Sequence, residues 1–531
     1  MHDIVIRGGS VVDGGGGAPR VADVAIDGGV ISRVSPSIAG PAGEEVEAAG
    51  KVVTPGFVDV HTHDDLALLR EPAHPPKLLQ GVTSVVTGNC GHGCAPLTDE
   101  AELLVDYSTP VLGPFPAEGG WATTAQYVRE VAAQPRGVNS MTLVPHGALR
   151  ASVLGFTSRQ AQATELNRMC GMLDDALSAG AGGLSLGLMY PPGNYAPRDE
   201  LVRLARVVAA HARMFVCHLR TEGAHHFDAL DEFVGIGREA GAPMHISHLK
   251  VVGPANHGSM KVVVDRLDDL RADGCDVTAD VYPYTAGSTT AATLFPPSAL
   301  DGGVDALLRR LRDPAERART RATLSTPWDG MENCLLALGP ARLHLSGFTQ
   351  QQNLTHDGQS LADIADARQQ DVLDCLIELV QEENAGMSVI QFQMSEEDVR
   401  TALQWPWTMI GSDGLPLPTG SLHPRHYGTF PRVLAHYVRQ EGTLTLPDAV
   451  RKMTALPAQR FGLSGRGEVS EGAAADLCVF SPGTIEDHAT YADPRRHPTG
   501  MDMVLVNGRV AARAGEVGTL AGAALSAGSG S

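Results

Sequence analysis

His61 and His63, within the stretch 55–65 (PGFVDVHTHDD), are the first residues in this chain whose type and spacing point to chemistry. The run Phe57-Val58-Asp59-Val60 before them opens on a Pro-Gly turn and reads as a short buried strand. Side chains two apart on a strand share a face, so both imidazoles project together from its end. Two neutral imidazoles held side by side by a stiff strand suit a divalent metal ion. Other metal-capable residues follow predicted strand ends downstream. Cys90 sits in GNCG, His146 follows LVP, His218 closes MFVCH, His248 closes MHISH and Asp413 follows MIGS. Each alone has an ordinary role open to it, as a packed thiol, a hydrogen-bonded core histidine or a helix cap. At the ends of successive strands they read together as one site. Cys217 alternates with His218 and points to the opposite face, so it packs. His245 differs in parity from His248 and lies deeper in its strand, which makes His248 the better ligand. Cys94, four residues past Cys90, reads as structural.

The elements that must hold these residues alternate along the middle of the chain. Candidate strands at 84–87, 139–144, 183–186, 214–219, 244–248, 277–281, 342–346 and 408–411 are separated by helical segments at 161–179, 198–212, 227–240, 262–272 and 361–383. Such alternation predicts an α/β fold, and a (β/α)8 TIM-like barrel fits best, because it gathers the C-terminal strand ends on one face. An open doubly wound sheet is the alternative, but no GxGxxG follows the first strand. The two ends have a different texture, with short strands and Gly-rich turns, and neither has enough strands to stand alone. They are expected to join as one small β-sandwich domain. The predicted organisation is therefore 1–55 and 466–520 in the β domain and 56–465 in the barrel, with an insertion near 290–340 and a disordered tail at 521–531.

Composition limits the function classes. A formal charge of −20 argues against nucleic acid or anionic membrane as partners. No apolar run is long enough to span a bilayer, and the start MHDIVIRGG lacks a basic segment followed by an apolar core. Eight scattered cysteines form no paired framework, so a reduced, cytoplasmic protein is expected. Oligomeric state is not legible.

The blocks GFVDVHTHDD, GVTSVVTGNCG, GLSLGLMYPPG, HLRTEG, HISHLK, DVYPYTAGST, MIGSDG and HPRHYGTFPRVL resemble the D-aminoacylase (N-acyl-D-amino-acid deacylase) family of the amidohydrolase superfamily. The closing RKMTALPAQRFGL, GRGEVSEGAAADLCVF and VLVNG are similar too, so the likeness covers nearly the whole chain. It implies a zinc held tightly by Cys90, His218 and His248, and a second, weaker position near His61, His63, Cys90 and Asp413. It also implies that Lys250, Tyr282 and Ser288 hold the substrate carboxylate; Arg220, two past His218 and on its face, is a further candidate. Many amidohydrolases bridge two metals with a carboxylated lysine from the fourth strand. Here no lysine occurs between Lys77 and Lys250, and a Cys90 thiolate supplies the missing negative ligand. Sulfur with imidazole favours zinc over magnesium or manganese.

The expected reaction is hydrolysis of a linear amide, an N-acyl-D-amino acid or a related N-acyl compound, by zinc-activated water. Asp413 serves as general acid and base, and His146 or Tyr190 joins the zinc in stabilising the oxyanion. The competing readings are a cyclic amidase of hydantoinase or dihydropyrimidinase type, disfavoured by the missing lysine, and a barrel that has lost its chemistry. Two features depart from the family pattern: His92 and Cys94 after GNCG, and the glutamine-rich loop 347–360, which has no assignment.

Overall fold

The computed structural model describes residues 1–117 and 120–528. Eight parallel strands form a barrel. They are Phe57–Asp59, Val82–Thr87, a third strand broken at Leu143 into Asn139–Thr142 and Val144–Pro145, then Gly183–Gly187, Met214–His218, Met244–Ile246, Val277–Val281 and Thr408–Ile410. Neighbours pair in that order. The ring closes where Thr62 bridges Gly414 and the Asp413 N–H donates to the His61 carbonyl at 2.7 Å. Every residue of these strands is buried. That is why they read as continuous apolar runs and not as alternating ones: helices cover the outside and side chains fill the inside. The Arg198–Ala210 helix shows how the outer layer attaches. Leu201, Leu204, Ala205 and Val208 recur at helical spacing and are buried. Each buried leucine of this kind contributes roughly 1.5–3 kcal/mol.

The segment 342–346, expected as a barrel strand, lies elsewhere. Leu343–Ser346 pairs antiparallel with Ser388–Phe392, which also pairs with Ala286–Thr290. This small sheet and the helices Gly303–Arg312, Pro314–Leu324, Leu361–Arg368 and Val372–Glu382 share a second apolar core, which includes Leu307, Leu345, Leu376 and Val389. The inserted unit thus runs from the Ala286 strand to the Phe392 strand, well past the 290–340 expected.

Strands from both chain ends form one nine-stranded sheet, in which Val52–Pro55 pairs with His2–Val11 on one side and Leu477–Phe480 on the other. The sheet folds over an apolar core that includes Ile4, Ile6, Val24, Ile26, Val479 and Leu505. The segment expected to be a disordered tail is packed as far as it is described. Leu525 N–H donates to the Ser140 carbonyl at 2.7 Å and Gly528 N–H to the Gly462 carbonyl at 3.0 Å. Ala527 is buried beside Leu456 and Phe461. Residues 529–531 of that expected tail lie outside the described residues. Among the described residues no helix is long and apolar enough to cross a membrane.

Candidate metal centre

Cys90, His218 and His248 come from the ends of the second, fifth and sixth barrel strands and meet at the barrel mouth. Cys90 Sγ lies 3.4 Å from His248 Nε2, and His248 Nε2 lies 2.7 Å from His218 Nδ1. His61 and His63, after the first strand, approach the same thiol and Asp413, after the eighth. His61 Nε2 is 3.2 Å from Cys90 Sγ, and Asp413 Oδ1 is 3.1 Å from His63 Nε2 and 3.3 Å from His61 Nε2. The donor atoms of Cys90, His218 and His248 all lie within 4.8 Å of one another, as do those of His61, His63, Cys90 and Asp413. The two groups share Cys90, and all six residues are buried.

Local backbone conformation aims these groups. Cys90 (φ 54°), His248 (φ 35°) and Asp413 (φ 49°) all adopt left-handed conformations. Each costs about 1–3 kcal/mol for a residue with a Cβ and persists because its surroundings fix it. One such constraint is Gly187 of GLSLG, where an added Cβ would fall 1.9 Å from the Cys90 carbonyl oxygen. The glycine lets the Cys90 turn close onto the fourth strand.

Buried carboxylates stand behind the ligand candidates. Asp280 accepts from His61 Nδ1 at 3.1 Å, from His245 Nε2 at 2.9 Å and from the His248 backbone N–H at 2.9 Å. This turns His61 Nε2 toward Cys90 and keeps His245 out of the cluster. Glu222 Oε1 lies 3.1 Å from His248 Nδ1, and Lys250 Nζ donates to Glu222 at 2.7 Å. Arg425, fully buried at the start of the Arg425–Arg432 helix, places Nη1 2.9 Å from Asp413 Oδ2 and donates from Nη2 to the Ser288 carbonyl at 3.0 Å. Its guanidinium also lies 4.7 Å over the Tyr282 ring. Burial pushes the Cys90 thiol up, but His61 and His248 outweigh it and hold the thiol well below its ordinary range. Burial likewise raises Asp413, and Arg425 with His61 more than reverses that and holds its carboxyl well below the ordinary carboxylate range.

A cavity opens onto the cluster. Of the residues singled out from sequence, His63, Cys90, Tyr190, His218, Arg220, His248, Lys250, Tyr282, Ser288 and Asp413 line it, and His61 is buried beside it in contact with Cys90. The Tyr190 hydroxyl accepts from Thr289 Oγ1 at 3.1 Å, and the Tyr282 hydroxyl is buried with no hydrogen-bond partner among the described residues. One expectation is corrected. His146 begins a helix, its Nε2 donates to Glu200 at 3.1 Å beside Arg150, and it is not among the residues that line the cavity where an oxyanion would form. Arg220 lines the cavity, with its guanidinium held by Glu232, at 2.9 Å through both Nε and Nη2, and by the Asn194 carbonyl. His146→Ala is accordingly expected to leave kcat/KM within a few-fold. It should lower unfolding stability by about 1–3 kcal/mol, read by denaturant titration, because Glu200 loses a buried donor.

The remaining sequence features also find places. Lys77 is buried against Asp59 at 2.7 Å and Ser412 Oγ at 2.7 Å, behind the first and eighth strands. Cys94 lies in the apolar core, where burial raises its thiol, whereas His92 lines the cavity with its ring against Tyr190. The glutamine-rich loop is structural. Glu383 accepts from the Thr349 N–H at 2.7 Å and from Asn353 Nδ2 at 2.7 Å. Glu222, Asp280 and Arg425 were not anticipated. All three sit in blocks that resemble the family, yet no spacing rule ties them to residues hundreds of positions away.

Residues 44–512 match a family described as "Amidohydrolase family". The D-aminoacylase of Alcaligenes xylosoxydans xylosoxydans is 37% identical over 509 residues, spanning 95% of this chain and 93% of its own. The N-acyl-D-glutamate deacylase of the same organism is 39% identical over 506 residues, with the same 95% and 93% coverage. The crystal structure of N-acyl-D-glutamate deacylase from Bordetella bronchiseptica, complexed with zinc and a phosphonate mimic of the tetrahedral intermediate, matches at TM-score 0.84 and 34% identity over 99% of this chain and 100% of that one. By sequence and by fold, the chain belongs to the amidohydrolase family, in its D-aminoacylase branch.

Proposed function

We propose that this chain is a zinc-dependent deacylase of N-acyl-D-amino acids. The observation that carries the reading is the convergence of a thiol and two imidazoles, each within reach of the others, beside a cavity that also holds Asp413, Lys250, Tyr282 and Ser288. One thiolate with two imidazoles is a donor set suited to zinc. Among the described residues His218 Nε2 and His63 Nδ1 have no hydrogen-bond partner, so the contacts of the two rings run through the nitrogens that face the cluster, His218 Nδ1 and His63 Nε2. Cys90, His218 and His248 would hold the tighter ion. His61, His63, Cys90 and Asp413 would hold a weaker one, because Asp413 is already shared with Arg425. Zinc in such a site supplies a Lewis acid that polarises an amide carbonyl and makes water nucleophilic near neutral pH.

The side chains do the rest. Asp413, kept anionic by Arg425, accepts the proton of the attacking water and delivers it to the leaving nitrogen. Tyr190, whose hydroxyl oxygen is occupied by Thr289, keeps its own O–H free to donate to the developing oxyanion. Losing one such donor costs roughly 3–4 kcal/mol of transition-state stabilisation. Lys250 and the hydroxyls of Tyr282 and Ser288 bind the substrate carboxylate, a small anion that suits one cation and two O–H donors. His248 can bind metal through Nε2 only if its proton sits on Nδ1. Glu222 can accept that proton and the Lys250 ammonium cannot. Glu222→Gln should therefore weaken zinc binding about 10–100-fold, measured by competition with a chromogenic chelator.

The reading is tested by assaying zinc-loaded protein on matched N-acetyl D- and L-amino acids, with a hydantoin alongside. Hydrolysis of D substrates is expected, with L substrates and the hydantoin far slower. Turnover confined to L substrates or to the ring would overturn it.

A further inference from the structure

Among the charged groups lining the cavity, Lys250 is paired with Glu222, Arg220 with Glu232 and Asp413 with Arg425. Glu332 is different. It enters the cavity from the inserted unit, just ahead of the Cys334–Leu338 helix. Its side chain accepts from Thr221 Oγ1 at 3.5 Å and from the Ala224 N–H. Among the described residues no lysine, arginine or histidine makes an ion pair with it. Burial pushes its carboxyl up, against the smaller opposing effects of its hydrogen bonds and of His225.

The position is built into the fold. A Cβ on Gly223 would fall 1.7 Å from Glu332 Oε2, so the glycine of HLRTEG is what admits the carboxylate. Met189, Val252 and Cys334 add apolar surface to the same cavity lining. An apolar lining that carries one carboxylate outside any ion pair matches a side chain with a methylene stem and a cationic nitrogen at its tip. A substrate carboxylate in the same place would face Glu332 as a like charge.

We infer that Glu332 selects the side chain of the substrate, and that the preferred substrates are N-acyl derivatives of basic D-amino acids. The inference rests on the deacylase reading above and narrows it. It sets this chain apart from the relative named for D-glutamate.

The test compares N-acetyl-D-lysine, N-acetyl-D-norleucine and N-acetyl-D-glutamate on zinc-loaded wild type and on Glu332→Gln. Lysine and norleucine derivatives differ at the tip, ammonium against methyl. The wild-type kcat/KM ratio of lysine to norleucine is expected to be about tenfold or more, falling toward one in Glu332→Gln, with the glutamate derivative slowest in wild type. A wild-type ratio of one or less overturns the inference, as does a high ratio that Glu332→Gln leaves intact. Isothermal titration with the same three compounds separates this inference from the deacylase reading. Tighter binding of the lysine derivative without hydrolysis of any of the three refutes the deacylase reading and keeps the role of Glu332. Equal affinities refute that role whatever the rates.

Discussion

Cys90→Ala is expected to empty the tighter metal position and to lower kcat/KM by on the order of 10⁴-fold or more, with zinc measured by mass spectrometry on the same sample. The effect is large because Cys90 belongs to both donor groups and is the only anionic donor in the Cys90–His218–His248 set. Without it two neutral imidazoles remain at that position, too few for a structural or catalytic zinc site, while the other group keeps His61, His63 and Asp413. The substitution should not unfold the chain, since alanine tolerates the left-handed conformation at this position no worse than cysteine does. Cys94→Ala is the matched control. Cys94 is equally buried but packs in the apolar core, so its loss should leave zinc content unchanged. Equal zinc content in the two variants would contradict the assignment of Cys90.

Asp413→Asn is expected to lower kcat by about 10²–10⁴-fold while zinc stays bound at Cys90, His218 and His248. The amide preserves the shape of the side chain and can still meet His61 and His63, but it cannot carry the proton from water to the leaving nitrogen. It also leaves the buried Arg425 guanidinium without its anion, so a fall in thermal stability should accompany the loss of rate. The steady-state rate of amine release and the zinc content together decide the outcome. A variant that keeps its rate would remove Asp413 from the mechanism.

The positions of the ligand candidates were legible because a parallel barrel converts one-dimensional information into a shared location. Runs such as Met214–His218 announce where a strand ends, and all such ends face one mouth. Strand-end position does not disclose where a side chain turns next. His146 ends the third strand but starts a helix that carries its ring to Glu200, and Arg220 follows the fifth strand but is drawn to Glu232. The supporting carboxylates Asp280 and Glu222 were hidden for a related reason: their roles depend on contacts between strands, which no local pattern encodes. Leu343–Ser346 looked like a barrel strand because four residues of an edge strand and four of a barrel strand are alike in composition. The C-terminal Ala/Gly/Ser segment looked disordered by composition, yet its backbone groups pair with the Ser140 and Gly462 carbonyls. Small side chains are what let it lie close against them.

The central claim is that one zinc ion sits among Cys90, His218 and His248. Anomalous diffraction from crystals of zinc-loaded protein, collected on both sides of the zinc absorption edge, tests it most directly. The account predicts a peak within bonding distance, about 2.0–2.3 Å, of Cys90 Sγ, His218 Nδ1 and His248 Nε2. No peak there in protein that hydrolyses the D substrates, or a peak held by other residues alone, would contradict it.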